Sequence, residues 1–176
     1  LLFLFFHFNQ TKEIQKIPNK PNLNLLVIQK INVTAPIIYS DSIEEDAVQK
    51  NLESGVVHLP NTANPGEIGN VYIVGHSSDY VLNPGKYKRI FSKLDKLETN
   101  DEILIEFKDA TFKYLVVGTK IVEASDFSVM TQETQGKKLL TLQTSYPINT
   151  AQKRLIIIAE FFQKSDNPGS RNKFRY

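Results

Sequence analysis

The sequence contains no cysteine and no tryptophan, and it has three histidines, His7, His58 and His76. Without cysteine the chain can form no disulfide, no thiolate zinc site and no thiol nucleophile. Three histidines are also too few for a histidine-rich metal site. The 21 basic and 19 acidic residues leave a net charge of +2. Because nucleic-acid binding requires a concentrated basic face, we expect no nucleic-acid partner.

Long hydrophobic runs are also scarce, and the most apolar segment is LLFLFFHF, residues 1–8. A membrane-spanning helix needs about 20 apolar residues, so this segment alone cannot cross a bilayer. We interpret it as the outer end of a truncated membrane anchor; the alternatives are a truncated signal peptide and an apolar chain end. Residues 9–22, with Pro18 and Pro21, are predicted to form a linker, and residues 164–176 a polar tail.

The segment between them, residues 23–163, has the length and composition of one globular domain. Most of it shows period-two alternation or short β-branched runs. DEILIEFKDATFKYLVVGTKIVEA, for example, predicts a hairpin that turns at Lys108-Asp109. DSIEEDAVQKNLESG predicts a helix capped at Asp41 or Ser42, and KYKRIFSKLDKL permits a helical turn. Seven or eight strands with few helices indicate an all-β domain, either a closed β-barrel or a sandwich.

Three polar side chains stand where predicted strands begin or end. His76 follows the strand VYIVG, Ser145 follows LLTLQT, and Arg154 opens the last apolar strand. Histidine titrates near neutral pH, an activated hydroxyl attacks carbonyl groups, and a guanidinium stabilises an oxyanion. Each residue alone also has an ordinary structural explanation, as a strand-end histidine, a turn serine or a surface cation. Their combination is what indicates a site.

In combination these motifs resemble the sortases, the membrane-anchored transpeptidases of the bacterial surface. The family has a strand ending in Gly-His, a strand reading Thr-Leu-x-Thr-Cys and an arginine on the next strand. This chain has YIVGH, TLQTS and KRLIIIAE in the same order. GVVHLPNTANPGEIGN and LNLLVIQKINVTAPI also resemble family segments, so the resemblance extends from about Leu23 to Phe162. GHSSDY and PGKYKRIFSKLDKL are similar to the class D or class E branch.

Carried over residue by residue, the resemblance implies that His76 is the catalytic histidine and that Arg154 steadies the acyl intermediate. Ser145 occupies the position of the nucleophile, and the adjacent Thr144 and Tyr146 are implied to bind substrate. The implied reaction cleaves a C-terminal Leu-Pro-x-Thr-Gly-like sorting signal after Thr. The acyl group then passes to an amine of a peptidoglycan precursor or of a pilin lysine.

The resemblance further implies an eight-stranded closed β-barrel with one or two short helices. A single-pass N-terminal anchor would hold this domain at the outer side of the cell membrane. No cofactor is implied, and no metal site is expected. Glu123, Asp126 and Glu133 lie in one predicted loop and could ligate calcium, although spaced acids in a loop are more often only solvated.

Ser145 departs from the family, in which this residue is cysteine. A free thiol has a pKa of about 8.5 and ionises beside a cationic neighbour. A hydroxyl is closer to water, with a pKa of roughly 15.7, and the gap of about seven units corresponds to roughly 10 kcal/mol. The hydroxyl therefore needs a general base. His76 can serve if a third group, such as Asp79 or Asp126, holds the neutral tautomer.

Three explanations of the serine remain open: an engineered Cys-to-Ser change, a slow or inactive natural homologue, and a natural serine transpeptidase. Two other functions compete with transpeptidation. One is a non-catalytic sortase-like module that binds sorting peptides at the membrane. The other is a serine hydrolase, for which the usual Gly-x-Ser-x-Gly elbow is absent.

Overall fold

The computed structural model describes residues 24–78 and 86–162. The strands are β1 Leu25–Ile28, β2 Val33–Tyr39, β3 Val56–His58, β4 Gly69–Val74, β5 Glu102–Phe107, β6 Ala110–Glu123, β7 Lys138–Tyr146 and β8 Lys153–Phe161. The helix α1 spans Glu45–Leu52, and short 3-10 helices span Gln29–Ile31, Leu94–Lys96 and Phe127–Met130. The predicted anchor, linker and tail lie outside the described residues, as does Asp79. Within the described ranges, no helix has both the length and the apolarity to cross a membrane.

The eight strands form one closed barrel in the order β1-β2-β3-β4-β7-β8-β6-β5. β5 pairs back onto β1, which closes the sheet. The pairs β2–β3 and β4–β7 are parallel, and the other pairs are antiparallel. Closure protects the strand edges that an open sheet would expose. The predicted eight-stranded barrel is confirmed, and the sandwich is excluded.

The hairpin between β5 and β6 turns at the predicted position. Its two turn residues, Lys108 and Asp109, have φ angles of 47° and 63°. A two-residue turn that matches the twist of its strands requires positive φ at both positions. Phe107 and Ala110 are the last residues paired across the turn, so the period-two pattern correctly gave both the strands and their junction.

The helix α1 begins at Glu45, later than the predicted cap at Asp41 or Ser42. The Ser42 hydroxyl accepts a hydrogen bond from the N–H of Glu44 (3.0 Å). This bond closes a turn ahead of the helix, and the segment becomes helical only after it. Leu52 and Val48 then pack α1 against the outer side of the sheet.

The strand β4 is buried on both faces. Val71 and Ile73 point into the barrel core. Tyr72 and Val74 point outward, where α1 and the loop between β6 and β7 cover them. The outer face of β4 is therefore a shielded floor beside the end of the strand, rather than a solvent-facing sheet surface.

Candidate active site

The ends of three neighbouring strands bring the predicted catalytic residues together. β4 and β7 are parallel, and their register pairs Val74 with Gln143. His76 and Ser145 each follow this pair by two residues, so they lie at the same level. β8 runs antiparallel to β7, and its register pairs Arg154 directly with Ser145. Strand pairing thus places an imidazole, a hydroxyl and a guanidinium on adjacent strands.

Side-chain alternation directs all three groups to the outer face of the barrel. Core positions alternate along these strands at Val71, Ile73, Leu140, Leu142, Leu155 and Ile157. Because successive side chains point to opposite faces, Gln143, Ser145 and Arg154 project outward. His76 continues the alternation from Val74, which packs outside the barrel core.

The outward-facing groups line a cleft of about 520 Å³ between α1 and the ends of β4, β7 and β8. This volume lies within the range of pockets that enclose small ligands or short peptide segments. α1 supplies Glu45 and Asp46 to one wall, while Lys88 and Arg154 also line the cleft. His76, Ser145 and Arg154 therefore share one cavity that carries charges of both signs.

The His76 imidazole is half-buried, and its surroundings favour the neutral form. Burial lowers the pKa of His76 below its ordinary value of 6.5; the Glu45 carboxylate opposes this shift and the Lys88 ammonium adds to it. At pH 7 the ring is therefore neutral and can accept a proton. Among the described residues, no side chain is hydrogen-bonded to the ring, and the Asp126 carboxylate is engaged with Ser128.

The residue before His76 is a glycine, and its surroundings leave no space for a larger side chain. A Cβ at this position would lie 2.4 Å from the Phe91 ring, far inside van der Waals contact. The N–H of Phe91 donates to the carbonyl of His76 (2.9 Å), and the N–H of Gly75 donates to the carbonyl of Gln143 (3.1 Å). Close packing and these two bonds fix the backbone at the end of β4.

The guanidinium of Arg154 is oriented by the backbone next to it. Its Nη1 donates to the carbonyls of Ala151 (3.0 Å) and Lys153 (3.1 Å). Within residues 24–78 and 86–162, no carboxylate forms an ion pair with Arg154. Its charge is therefore available to a developing oxyanion beside Ser145.

The two residues that flank Ser145 have different surroundings. Thr144 lines the cleft, but its hydroxyl is buried and donates to the carbonyl of Gly75 (2.8 Å). Tyr146 is half-buried and packs against the barrel core, on the face of β7 opposite to Ser145. Their role in substrate binding stays a prediction, and Thr144 is the better placed of the two.

Sequence reasoning missed other residues of the cleft. Gln143 lies two residues before Ser145, and the period of two could have identified it as a neighbour on the same face. Glu45 and Lys88 act on His76 from distant segments. No local pattern signals such contacts, since they arise only when α1 and the segment around Lys88 fold against β4.

The acidic loop considered for calcium has other contacts. Asp126 caps the 3-10 helix Phe127–Met130 through Ser128, and these hydrogen bonds lower the pKa of its carboxyl. Glu123 forms an ion pair with Lys153 (3.3 Å). In the part of the chain that the structure describes, no three acidic or histidine side chains are grouped as metal ligands.

Comparison with known proteins identifies the family of this chain. Residues 26–162 match the family model described as Sortase domain. The match covers most of the chain, and the chain belongs to the sortase family. The predicted resemblance is confirmed at this level.

The most informative relatives are sortases D. Sortase D of Bacillus subtilis (strain 168) is 30% identical over 136 residues, which are 76% of this chain and 60% of that protein. The chain therefore spans 60% of the length of this curated relative. The Sortase D5 transpeptidase of Clostridium perfringens is 30% identical, with a TM-score of 0.65 over 81% of this chain and 79% of that one. Sortase C-1 of Actinomyces oris (TM-score 0.68, 23% identity, 81% and 76% coverage) shows the fold.

Proposed function

We propose that this chain is a sortase-type transpeptidase that cleaves a Leu-Pro-x-Thr-Gly-like C-terminal sorting signal after Thr. The acyl group would pass to an amine of a peptidoglycan precursor or of a pilin lysine. The observation that carries this proposal is the direct pairing of Ser145 with Arg154 in a cleft that also contains His76. The two relatives at 30% identity are sortases D, which favours a class D-like signal and acceptor.

Each catalytic residue has a defined role in the proposed reaction. Ser145 Oγ attacks the scissile carbonyl while neutral His76 takes its proton, and Arg154 stabilises the resulting oxyanion. When the C–N bond breaks, His76 returns the proton to the leaving amine and the acyl group remains on Ser145 as an ester. The acceptor amine then attacks this ester, and His76 moves a proton from the amine to the Ser145 oxygen.

A second candidate is a sortase-like module that binds sorting peptides without cleaving them. Two observations favour it: the hydroxyl at position 145, and the lack of any described residue hydrogen-bonded to the His76 ring. Without an orienting partner, a histidine is a weaker general base for a hydroxyl. Both candidates use the same cleft and differ only in turnover.

The two candidates are separated by incubating this chain and its Ser145→Cys variant with a Leu-Pro-x-Thr-Gly peptide and hydroxylamine. Mass spectrometry detects the peptide hydroxamate. We expect the cysteine variant to react at least about 100-fold faster, because a thiol loses its proton far more readily than a hydroxyl does. Product from both forms supports a serine transpeptidase. Product from the cysteine variant alone identifies the serine form as a catalytically silent peptide binder.

Two results would oppose the transpeptidase. Absence of product from both forms, across several sorting-motif variants, would remove the enzyme proposal. Labelling of Ser145 by a fluorophosphonate probe, with hydrolysis but no hydroxamate, would instead indicate a serine hydrolase. Equal affinity of the parent and the Ser145→Ala variant for the peptide would show that peptide recognition does not need the hydroxyl.

We also propose that residues 1–8 belong to a single-pass anchor that holds the domain at the outer side of the cell membrane. The apolar run in these residues and the membrane association implied by the sortase resemblance support this location. Release of the natural protein from membranes by salt, without detergent, would contradict it.

A further inference from the structure

A part-buried hydrogen bond between β4 and β7 orients Gln143, a side chain that lines the cleft. Tyr72 is fully buried, and its hydroxyl donates to Oε1 of Gln143 at 2.6 Å. Tyr72 lies on β4 and Gln143 on the neighbouring β7, both on the outer face. A buried hydroxyl proton needs an acceptor, which the carboxamide oxygen supplies and its nitrogen cannot. The pair therefore determines which end of the carboxamide faces the cleft.

The end that faces the cleft is the Nε2 amide, a group that can only donate. No described residue accepts a hydrogen bond from Gln143 Nε2. Among the described residues no buried side-chain nitrogen or oxygen lacks a partner, so this nitrogen reaches solvent in the cleft that Gln143 lines. Among the described residues, this amide is thus a donor without a partner, held by Tyr72 on the same face of the sheet as Ser145.

Spacing along β7 relates this donor to a bound peptide. Gln143 and Ser145 lie two residues apart on one face, which is about 7 Å at the usual rise of a strand. An extended peptide has the same rise per residue as a strand, so two of its residues also span about 7 Å. For an extended peptide that runs alongside β7 with its scissile carbonyl at Ser145, the donor therefore lies opposite the residue two positions away from the scissile bond.

We propose that Gln143 is a specificity-determining residue, whose Nε2 donates to the backbone carbonyl of the residue two positions before the cleaved Thr–Gly carbonyl. This inference rests on the proposed function. In a Leu-Pro-x-Thr-Gly-like signal that residue is Pro, which has a carbonyl acceptor and no N–H. The Gln143 Nε2 group, which can only donate, matches the Pro carbonyl. A hydrogen-bond acceptor at position 143 would find no N–H partner on this proline. Because Tyr72 pre-orients the carboxamide, little side-chain entropy is lost on binding.

The test measures binding of a Leu-Pro-x-Thr-Gly peptide to the full chain with Ser145, by calorimetry or fluorescence anisotropy. It also measures kcat/KM for the same peptide in the Ser145→Cys background. Gln143→Leu keeps the shape and removes the donor, so we expect about three- to tenfold weaker binding, the worth of one neutral hydrogen bond. Tyr72→Phe releases the carboxamide and should give a smaller loss. Gln152→Leu, an exposed glutamine outside the cleft, is the matched control and should bind like the parent.

A modified peptide identifies the partner atom. When the Pro carbonyl is replaced by a thioamide, a weaker acceptor, the parent should lose affinity while Gln143→Leu should not. Melting temperatures of all variants show that each remains folded. Equal binding by the parent and Gln143→Leu, or an equal thioamide effect in both, overturns the role of Gln143 and leaves the proposed function intact. Failure of the parent and of Ser145→Cys to bind any sorting peptide overturns both.

Discussion

Ser145 and His76 have properties that suit each other. A cysteine enzyme of this family gains from a charged imidazole that stabilises a thiolate. Here burial lowers the pKa of His76, with Lys88 adding to the shift and Glu45 opposing it, so the ring is neutral at pH 7. A neutral imidazole is the form that can take a proton from a hydroxyl. At the scale of residues, the site is therefore consistent with general-base chemistry.

The charges that act on His76 provide a test that does not depend on turnover. Replacing Glu45 by Gln removes the group that raises the pKa of His76, so this pKa should fall further. Replacing Lys88 by Met removes a group that lowers it, so the pKa should rise. NMR titration of the His76 ring protons measures both shifts, and Lys138→Met at the other end of β7 should leave the titration unchanged. Shifts of the same sign in both cleft variants would contradict the assignment.

The loop between β6 and β7, residues 124–137, is anchored to β4 in large part by the side chain of Gln132. Gln132 Oε1 accepts from the N–H groups of Ala63 (3.2 Å) and Asn70 (3.0 Å). Its Nε2 donates to the carbonyls of Asn70 (3.0 Å) and Met130 (3.1 Å). Gln132 thus pairs with β4 much as a backbone peptide would, and it keeps the loop over the outer face of the barrel.

Removing this side chain should loosen the loop and destabilise the domain. In Gln132→Ala the N–H and carbonyl of buried Asn70 lose a partner, which costs about 1 to 3 kcal/mol. Urea denaturation measures the free energy of unfolding, and hydrogen exchange should rise most in residues 124–137. Gln135→Ala, which removes an exposed carboxamide from the same loop, should change little. Equal stability of the two variants would show that Gln132 does not hold the loop.

A buried histidine outside the cleft, His58, is expected to make the stability of the whole barrel depend on pH. His58 is 4% exposed, its Nε2–H donates to the carbonyl of Ala63 (2.9 Å), and its ring stacks on Tyr39 at 4.5 Å. Burial lowers the pKa of His58 below 6.5, and the bond to Ala63 partly offsets the shift. The folded chain therefore holds this ring neutral under conditions in which the unfolded chain protonates it.

This linkage predicts loss of stability in acid. Above pH 6.5 both states of His58 are neutral and the stability is fully present. As the pH falls from 6.5 through the lowered folded pKa, the unfolded state binds more protons, so the free energy of unfolding decreases. Urea denaturation at pH 7.5 and 5.5 should show a smaller decrease for His58→Gln than for the parent. The same decrease in both proteins would exclude His58 as a source of the acid sensitivity.

Much of the molecule was predictable because its signals are local. The alternation around Lys108-Asp109 predicted a hairpin, and the strand-end positions of His76, Ser145 and Arg154 predicted a site. The start of α1 was misplaced, since Ser42 closes a turn of its own before Glu45. A serine or an aspartate ahead of a helical segment can thus either cap the helix or close a separate turn before it. Packing decides between the two.

The sequence by itself determined the strand pattern, the family and the hydroxyl at position 145, because each is carried by residue identity and short spacing. Only the tertiary structure decided that burial lowers the pKa of His76, that Tyr72 turns the Gln143 amide toward the cleft, and that α1 forms one wall. These properties depend on burial and on contacts between segments far apart in the chain, such as Tyr72 and Gln143, which are separated by 71 positions. Barrel closure creates such contacts, and no local periodicity encodes them.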